Sequence, residues 1–297
     1  HAPEIADRAA GYAAVTRDVP LGRPAAPAAA AGTADRTPPR GIGRQGAVVL
    51  QLPEQAAELA DALSKRAAGA ASVTIGVVGV KGGVGASVTA ALLARSANDS
   101  GRSAALLDMC GGLDVALGIE DLPGPRWAEL TAEAGPFPAA TLIANLPRWA
   151  GVSVLAADAR GTPAMQALDP VLATVSRACR VVVLDLPRSI GVEVARACDL
   201  VIAVAGTDAA SAAGLAAFTQ RMAAGGVEVA LVVRREGGIA VAEPDELARW
   251  CELSLVGQLP HSPTLRGDMA RGLGPGERRR AALTKAVRTL AREVGVA

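Results

Sequence analysis

From Val73 onward, short apolar runs alternate with Ala-rich segments that have helical spacing. Nearly continuous apolar runs are typical of strands buried on both faces of a parallel sheet. Seven of them follow one another: Val73–Val80, Ser103–Asp108, Val152–Ala157, Val181–Pro187, Leu200–Gly206, Val227–Val233 and Leu253–Pro260. Segments between them, such as Ser87–Ala97 and Ala210–Ala223, have the periodicity of helices. The pattern predicts an α/β fold with a doubly wound, mostly parallel sheet flanked by helices.

The residues before Val73 have a different character. Residues 1–46 are rich in Ala, Pro and Arg and offer little to bury, so we interpret them as a linker or remnant. A short strand (Ala47–Pro53) and a helix (Glu54–Ala68) are predicted next, but together they are too small to form a domain. We therefore expect a strand–helix remnant over residues 47–70 and one α/β domain over residues 73–297.

Charge and composition exclude several classes of protein. Among 297 residues, 30 basic side chains are balanced by 29 acidic ones, which argues against a generally basic nucleic-acid binder and against an acidic disordered chain. Four scattered cysteines without a C-x-x-C pair, and two histidines, predict neither a zinc nor an iron–sulfur site and favour a reducing cytoplasm. The apolar runs are far shorter than the ~20 residues that cross a bilayer, and no basic-then-apolar leader opens the chain. We expect a cytoplasmic protein, or a peripheral one at the inner face of the plasma membrane.

The most informative segment is a glycine-rich stretch, Gly79–Ala94, between the first predicted strand and a helix. Its four glycines would let backbone N–H groups turn inward, and the helix N-terminus adds the positive end of a dipole, so the segment predicts a cradle for phosphate oxygens. Ser87 stands where a P-loop hydroxyl would bind Mg²⁺. A dinucleotide pattern, G-x-G-x-x-G, fails because Val88 occupies the last glycine position. A glycine-rich turn without a ligand is the remaining alternative.

The motif KGGVGAS (Lys81–Ser87) resembles the deviant Walker A motif, K-G-G-x-G-K-[S/T], of the MinD/ParA superfamily of P-loop ATPases. The resemblance covers roughly residues 73–297 and implies ATP or ADP with Mg²⁺ as ligands. It implies a nucleotide-binding loop of eight consecutive residues: Lys81, Gly82, Gly83, Val84, Gly85, Ala86, Ser87 and Val88. In that superfamily the first lysine reaches the nucleotide of a partner subunit, so the resemblance also implies a homodimer.

One lysine of the motif is missing. The second lysine, which contacts the β- and γ-phosphates in the superfamily, is replaced by Ala86. Losing such a charge-assisted contact costs about 2–4 kcal/mol. Backbone N–H groups could still hold a nucleotide weakly, and we expect weak or no hydrolysis.

Two aspartates extend the resemblance. Asp108 lies in a segment that resembles the superfamily's switch I, which implies a catalytic, water-orienting role. Asp185 lies in VVVLDLP, which resembles the Walker B segment and implies that Asp185, with Ser87, holds Mg²⁺ through water. From the residues alone, Asp185 could instead be a turn residue at the end of its strand. Asp199 and Asp208 also stand at predicted strand ends, where we interpret them as caps or turn formers.

Within the superfamily, the chain most resembles actinobacterial septum site-determining proteins of the CpaE-like type. The resemblance is carried by the G-A-S at residues 85–87 and by residues 48–67, which look like the end of a receiver-like segment. It implies a spatial regulator of division-site placement, or of the assembly of a tight-adherence pilus and secretion system. Protein partners from that machinery follow from the same resemblance.

The C-terminal segment predicts a basic amphipathic helix. Leu283, Val287, Leu290 and Val294 recur on one face, and the chain from Arg271 onward carries seven basic and two acidic residues. MinD-type proteins end in such a helix, which lies on anionic membrane, so weak peripheral membrane contact is one hypothesis. The other, which we prefer, is a final helix packed on the sheet with its arginines in solvent, because the stripe contains no Phe or Trp.

Four kinds of protein with such a glycine loop are possible. A pseudo-ATPase scaffold that binds protein partners fits the replacement at Ala86, and an active ATPase that dimerises around ATP is the second hypothesis. An iron–sulfur carrier would need closely spaced cysteines, which the sequence lacks. A DNA-binding ParA-like protein would need a basic surface, and the near-neutral net charge argues against one. The sequence favours the scaffold.

Overall fold

The computed structural model describes residues 72–130, 138–163, 165–235, 240–277 and 281–297. Segments 1–46 and 47–70, on which a linker and a strand–helix remnant were predicted, lie outside the described residues. Eight strands form one sheet in the order β3-β4-β2-β5-β1-β6-β7-β8. Their bounds are β1 Val73–Gly79, β2 Ala104–Asp108, β3 Arg148–Trp149, β4 Val152–Leu155, β5 Val181–Leu186, β6 Leu200–Ala205, β7 Val229–Arg234 and β8 Ser254–Leu259.

Helices connect these strands and cover both faces of the sheet. Their bounds are α1 Ala86–Asp99, α2 Leu113–Leu117, α3 Ala139–Asn145, α4 Met165–Ala178, α5 Val192–Arg196, α6 Ala209–Ala223, α7 Pro244–Trp250, α8 Leu265–Met269 and α9 Ala282–Glu293. One further turn of 3₁₀ helix covers Trp127–Glu129. The predicted α/β fold with a mostly parallel sheet is confirmed.

Every paired strand is parallel except β3, which pairs antiparallel with β4. The sequence analysis missed β3, whose two residues join β4 through a tight turn in which Ala150 and Gly151 have φ of 48° and 88°. Strand β1 lies between β5 and β6. Because parallel strands end at the same edge, the loops after β1, β2 and β5 meet there.

The sheet separates two apolar layers. Successive residues of β6 alternate between them, with Val201 and Ala203 on the layer that includes α4 and α6, and Ile202 on the layer that includes α1 and α9. Glycines allow close packing at two places beside β1. A Cβ at Gly76 in β1 would lie 2.5 Å from Leu186 Cδ1 of β5, and one at Gly214 in α6 would lie 2.6 Å from Val80 O.

The apolar stripe of α9 is part of the core. Leu283, Val287 and Leu290 are 5%, 0% and 1% exposed, and the helix packs on α1 and β8. The apolar stripe therefore faces the sheet, as in the hypothesis of a final helix packed on the sheet with its arginines in solvent. Among the described helices, none is long and apolar enough to span a membrane.

Candidate nucleotide-binding site

The glycine loop begins where β1 ends at Gly79, in the middle of the sheet, and leads directly into α1. Val80 N donates to Val204 O at 3.1 Å, and Val84 is 1% exposed, so a backbone hydrogen bond holds one side of the loop and a buried side chain holds the other. Gly82 and Gly83 between these anchors are exposed to solvent. The loop is therefore held at its base and open at its tip.

Two glycines of the loop have backbone conformations that other residues rarely adopt. Gly83 and Gly85 have φ of 82° and 86°, in the left-handed region. Gly85 is the N-cap of α1; it makes no side-chain cap, and the first turn of that helix contains no acidic residue. The N-terminal N–H groups of α1 thus have no carboxylate from their own helix, which leaves an environment that favours a bound anion.

Asp185 is a buried carboxylate beside the start of α1. It is 1% exposed, and neither of its oxygens accepts a well-formed hydrogen bond within the described part of the chain. Burial, together with the negative charge of Asp108, raises its pKa to about 7, although the nearby Ser87 and Cys110 side chains lower it. Oxygen donors from a carboxylate and a hydroxyl are the ligands that Mg²⁺ prefers, so Asp185 and Ser87 fit a magnesium site.

Asp108 faces Asp185 across the paired strands β2 and β5. Its Oδ1 accepts from the N–H groups of Cys110 at 2.9 Å and Gly111 at 2.7 Å, and its Oδ2 accepts from Leu113 N at 3.1 Å. Burial raises the pKa of this carboxyl, although these donors pull it down. The carboxylate therefore closes the loop that follows β2, and its catalytic role stays a prediction.

Lys81 forms an ion pair inside its own chain. Its Nζ lies 2.7 Å from Oδ2 of Asp208, and the two side chains are 30% and 33% exposed. Asp208 also accepts from Ser211 N at 3.0 Å and so caps α6, as expected for an aspartate at this position. The Lys81 ammonium holds the pKa of Asp208 down at about 2. In this structure Lys81 is directed to α6 of the same subunit.

We expect the Lys81–Asp208 pair to contribute little to stability. Asp208→Asn should lower the free energy of unfolding by less than about 1 kcal/mol, because the pair is partly exposed and asparagine remains a good N-cap. Asp208→Ala should cost about 1 kcal/mol more, since it also removes the cap. Urea denaturation in low and high salt measures both, and equal losses for the two variants would contradict this assignment.

Two arginines that the sequence analysis did not single out lie against the glycine loop. Arg234, the last residue of β7, donates from Nη1 to Val84 O at 3.2 Å. Arg266 in α8 has Nη2 3.8 Å from the position that a Cβ on Gly83 would take. Since the first contact joins residues 150 positions apart, no local sequence signal could have identified it.

Cys110, two residues after Asp108, is exposed. Partial burial of its sulfur, with the charges of Asp185 and Asp108, raises the pKa of the thiol to about 12. A thiol with such a pKa stays protonated near neutral pH, so it is a poor nucleophile. The exposed His261 lies in the loop between β8 and α8.

The fold is shared with solved ATPases of the MinD and ParA types. The MinC:MinD cell division protein complex of Aquifex aeolicus matches with a TM-score of 0.63 at 17% identity, over 75% of this chain and 95% of that one. A ParA family ATPase from Chlorobium tepidum TLS matches with 0.63 at 14% identity, over 75% and 98%. The MinD protein of Pyrococcus horikoshii OT3, solved with Mg-ADP, matches with 0.60 at 16% identity, over 75% and 96%. At such identities the likeness establishes the fold.

Sequence comparison identifies nearer relatives. No protein-family model matches the chain. The uncharacterized protein Rv3660c of Mycobacterium tuberculosis H37Rv is 34% identical over 254 residues, which cover 81% of this chain and 70% of that protein. The uncharacterized protein MT3760 of strain CDC 1551 matches to the same extent. Because residues 72–297 make up about three quarters of the chain, the similarity reaches into the preceding segment. The chain belongs to the family of these mycobacterial proteins, and it has the MinD/ParA fold.

Proposed function

We propose that the protein is a MinD/CpaE-like spatial regulator built on a degenerate ATPase, with weak or no hydrolysis. The observation that carries the proposal is an open glycine loop beside a buried Asp185 whose carboxylate lacks a well-formed hydrogen bond, while Ala86 stands in the place of the Walker lysine. The first two features support a magnesium nucleotide site. The third removes a cation on which hydrolysis depends in the superfamily.

In this proposal the loop of residues 81–88 binds the phosphates of ATP or ADP through its backbone N–H groups and the N-terminus of α1. Ser87 and Asp185 hold Mg²⁺, directly or through water, which neutralises part of the phosphate charge. The pKa of Asp185, raised to about 7 by burial, means that a nearby cation would favour its ionised form. Binding should therefore strengthen as pH rises through neutrality.

Slow hydrolysis follows from three features of the same site. Ala86 offers no charge to the β- and γ-phosphates. Asp108, the candidate for orienting water, already accepts three backbone hydrogen bonds. Lys81, which in an active dimer would serve the partner subunit, is paired with Asp208. A bound nucleotide would then stabilise the structure of the protein and would be hydrolysed slowly or not at all.

The role itself is proposed as division-site placement or assembly of a tight-adherence pilus and secretion system, through protein partners and a homodimer. The similarity to MinD of Aquifex aeolicus, solved with MinC, supports a surface for a protein partner. The proposal places the chain in the cytoplasm, with at most weak contact to the inner face of the plasma membrane and no nucleic-acid partner.

Nucleotide affinity and turnover test the proposal. We expect ATP and ADP to bind the purified chain weakly and in a Mg²⁺-dependent manner, with phosphate release no faster than in a buffer blank. Calorimetric titration and a phosphate-release assay measure the two quantities. Tight binding with steady Mg²⁺-dependent turnover would instead support the second candidate, an active dimerising switch ATPase. Asp185 and Ser87 are the residues that favour this second candidate.

Membrane contact is tested best by reversing exposed charges on α9, and not by deleting the helix. Removing α9 would open the core, because its own side chains Leu283, Val287 and Leu290 are buried against the rest of the domain. Lys285 and Arg292 are exposed on the other face, so Lys285→Glu with Arg292→Glu should leave the fold intact. We expect the parent chain and this double variant to float equally poorly with anionic vesicles. Selective recovery of the parent with the vesicles would establish electrostatic membrane binding.

A further inference from the structure

The guanidinium of Arg234 lies directly on the glycine loop. Its Nη1 is 1.8 Å, and its Cζ 3.0 Å, from the position that a Cβ on Gly85 would occupy. Any side chain at residue 85 would therefore displace the arginine, quite apart from the positive φ of that residue. Gly85, at the N-cap of α1, therefore leaves space for the guanidinium of Arg234.

Arg234 places its positive charge at the N-terminus of α1, next to the positive end of the helix dipole. The first turn of α1 contains no acidic residue. Arg266, near Gly83, adds a second guanidinium to the same loop. An anion bound between the loop and these two groups would be attracted by the helix dipole and by both guanidinium groups.

Independent evidence for a ligand at this loop comes from Asp185. Its carboxylate is 1% exposed and has no well-formed hydrogen bond within the described residues, and it faces Ser87 in the first turn of α1. A buried carboxylate in that condition is costly unless a cation or a donor joins it. The acidic group for a metal and the basic groups for an anion thus flank one loop, as a magnesium-bound phosphate requires.

We propose that Arg234 supplies the positive charge that the loop lost at Ala86, and that it contacts the phosphate groups of a bound nucleoside di- or triphosphate. The proposal rests on the proposed nucleotide site. A guanidinium suits this task because its fixed fork of N–H donors matches two phosphate oxygens, while one of its N–H groups stays on Val84 O. The charge reaches the loop from the end of β7, whereas the lysine of the superfamily motif would stand at residue 86 in α1.

Three substitutions at Arg234 separate charge from structure. Arg234→Ala removes the side chain, Arg234→Gln keeps a donor for Val84 O without the charge, and Arg234→Lys keeps the charge without the fork. Arg235→Ala is the matched control, since this neighbour is exposed and pairs with Glu243 at 3.6 Å. Fluorescent derivatives of ATP, ADP and AMP serve as probes with Mg²⁺ present, and thermal unfolding checks the fold of each variant.

We expect Arg234→Ala and Arg234→Gln to weaken ATP and ADP binding about tenfold, the loss of one charge-assisted contact. Arg234→Lys should retain part of the affinity, AMP binding should change little, and Arg235→Ala should match the parent. Ala86→Lys introduced into Arg234→Ala should restore ATP binding. That rescue is an effect that a purely structural role for Arg234 would not produce.

Three results would contradict the proposed role of Arg234. If the parent binds ATP and Arg234→Ala binds it equally well, Arg234 does not contact phosphate, and the proposed nucleotide site stands without it. Tighter binding by Arg234→Ala would show that the arginine occludes the loop and would also overturn the inference. If the parent and Ala86→Lys both fail to bind, the nucleotide site itself is refuted and the role of Arg234 with it.

Discussion

With Asp185 replaced by asparagine, the ligand-free protein is expected to unfold at a higher temperature near pH 8 and to lose its response to Mg²⁺. The side chain is 1% exposed, and its oxygens have no well-formed hydrogen bond in the described structure. An ionised carboxylate in that position opposes folding, because its charge loses its hydration without gaining a well-formed hydrogen bond. Asparagine keeps the shape and removes the charge.

The pH dependence has a definite sign. Burial raises the pKa of Asp185 from 3.8 to about 7, so the folded protein holds a proton that the unfolded chain releases. The contribution of Asp185 to the free energy of unfolding is therefore most favourable below about pH 4, falls through the window up to about pH 7, and is lower by about 4 kcal/mol above it. Asp185→Asn removes this slope. We expect it to recover about 2 kcal/mol near pH 8, since a buried amide still lacks partners, and little near pH 4.

Asp108→Asn is the matched control. Its carboxylate accepts from three backbone N–H groups at 2.7–3.1 Å, so an amide there must present its own N–H₂ to a donor or lose bonds. We expect it to lower the free energy of unfolding by about 1–3 kcal/mol. Thermal and urea unfolding from about pH 4 to 8, with and without Mg-ADP, measure both variants. If Asp185→Asn is less stable than the parent near pH 8, the ionised carboxylate is already stabilised in the ligand-free protein, which contradicts the expected gain.

The sheet was predictable because each long strand can be recognised from the apolar pattern of its own sequence. Segments such as Val181–Leu186 are apolar on both faces, which periodicity identifies without knowledge of their neighbours. The order of the strands is set by packing between them and by crossover connections, so no single segment contains it. Arg148–Trp149 was missed because a two-residue strand exists only through its pairing with β4.

For the candidate site, the sequence likewise predicted where its residues lie along the chain, but not the contacts that they make. Glycine spacing after a predicted strand located the loop, and the apolar runs placed Asp108 and Asp185 at or near the ends of their strands. What the carboxylates do there depends on which donors reach them, and Asp185 has no well-formed bond while Asp108 has three backbone partners. The cations around the loop depend on contacts across 127 positions for Lys81 and 150 for Arg234. Such contacts are a product of the tertiary fold.

Ala86→Lys is expected to raise the affinity for ATP about 30-fold or more. Ala86 is the first residue of α1 and is partly exposed, so the longer side chain has access to solvent and to the glycine loop. Lysine is a good helix former, and a charge-assisted contact to the terminal phosphates is worth about 2–4 kcal/mol. The gain should be larger for ATP than for ADP, because the γ-phosphate adds charge within reach of the new ammonium.

Ala86→Met separates the charge from the bulk, since it adds a chain of similar length without an ammonium. We expect it to bind ATP no better than the parent, and we expect turnover by Ala86→Lys to stay slow because the Asp108 oxygens remain bound to the backbone of their own loop. Calorimetric titration with ATP and ADP, and phosphate release in Mg²⁺, measure these quantities. Rapid turnover by Ala86→Lys would show that one lysine separates this chain from an active ATPase. Equal affinities for the lysine and methionine variants would show that the loop has lost phosphate binding through more than the change at residue 86.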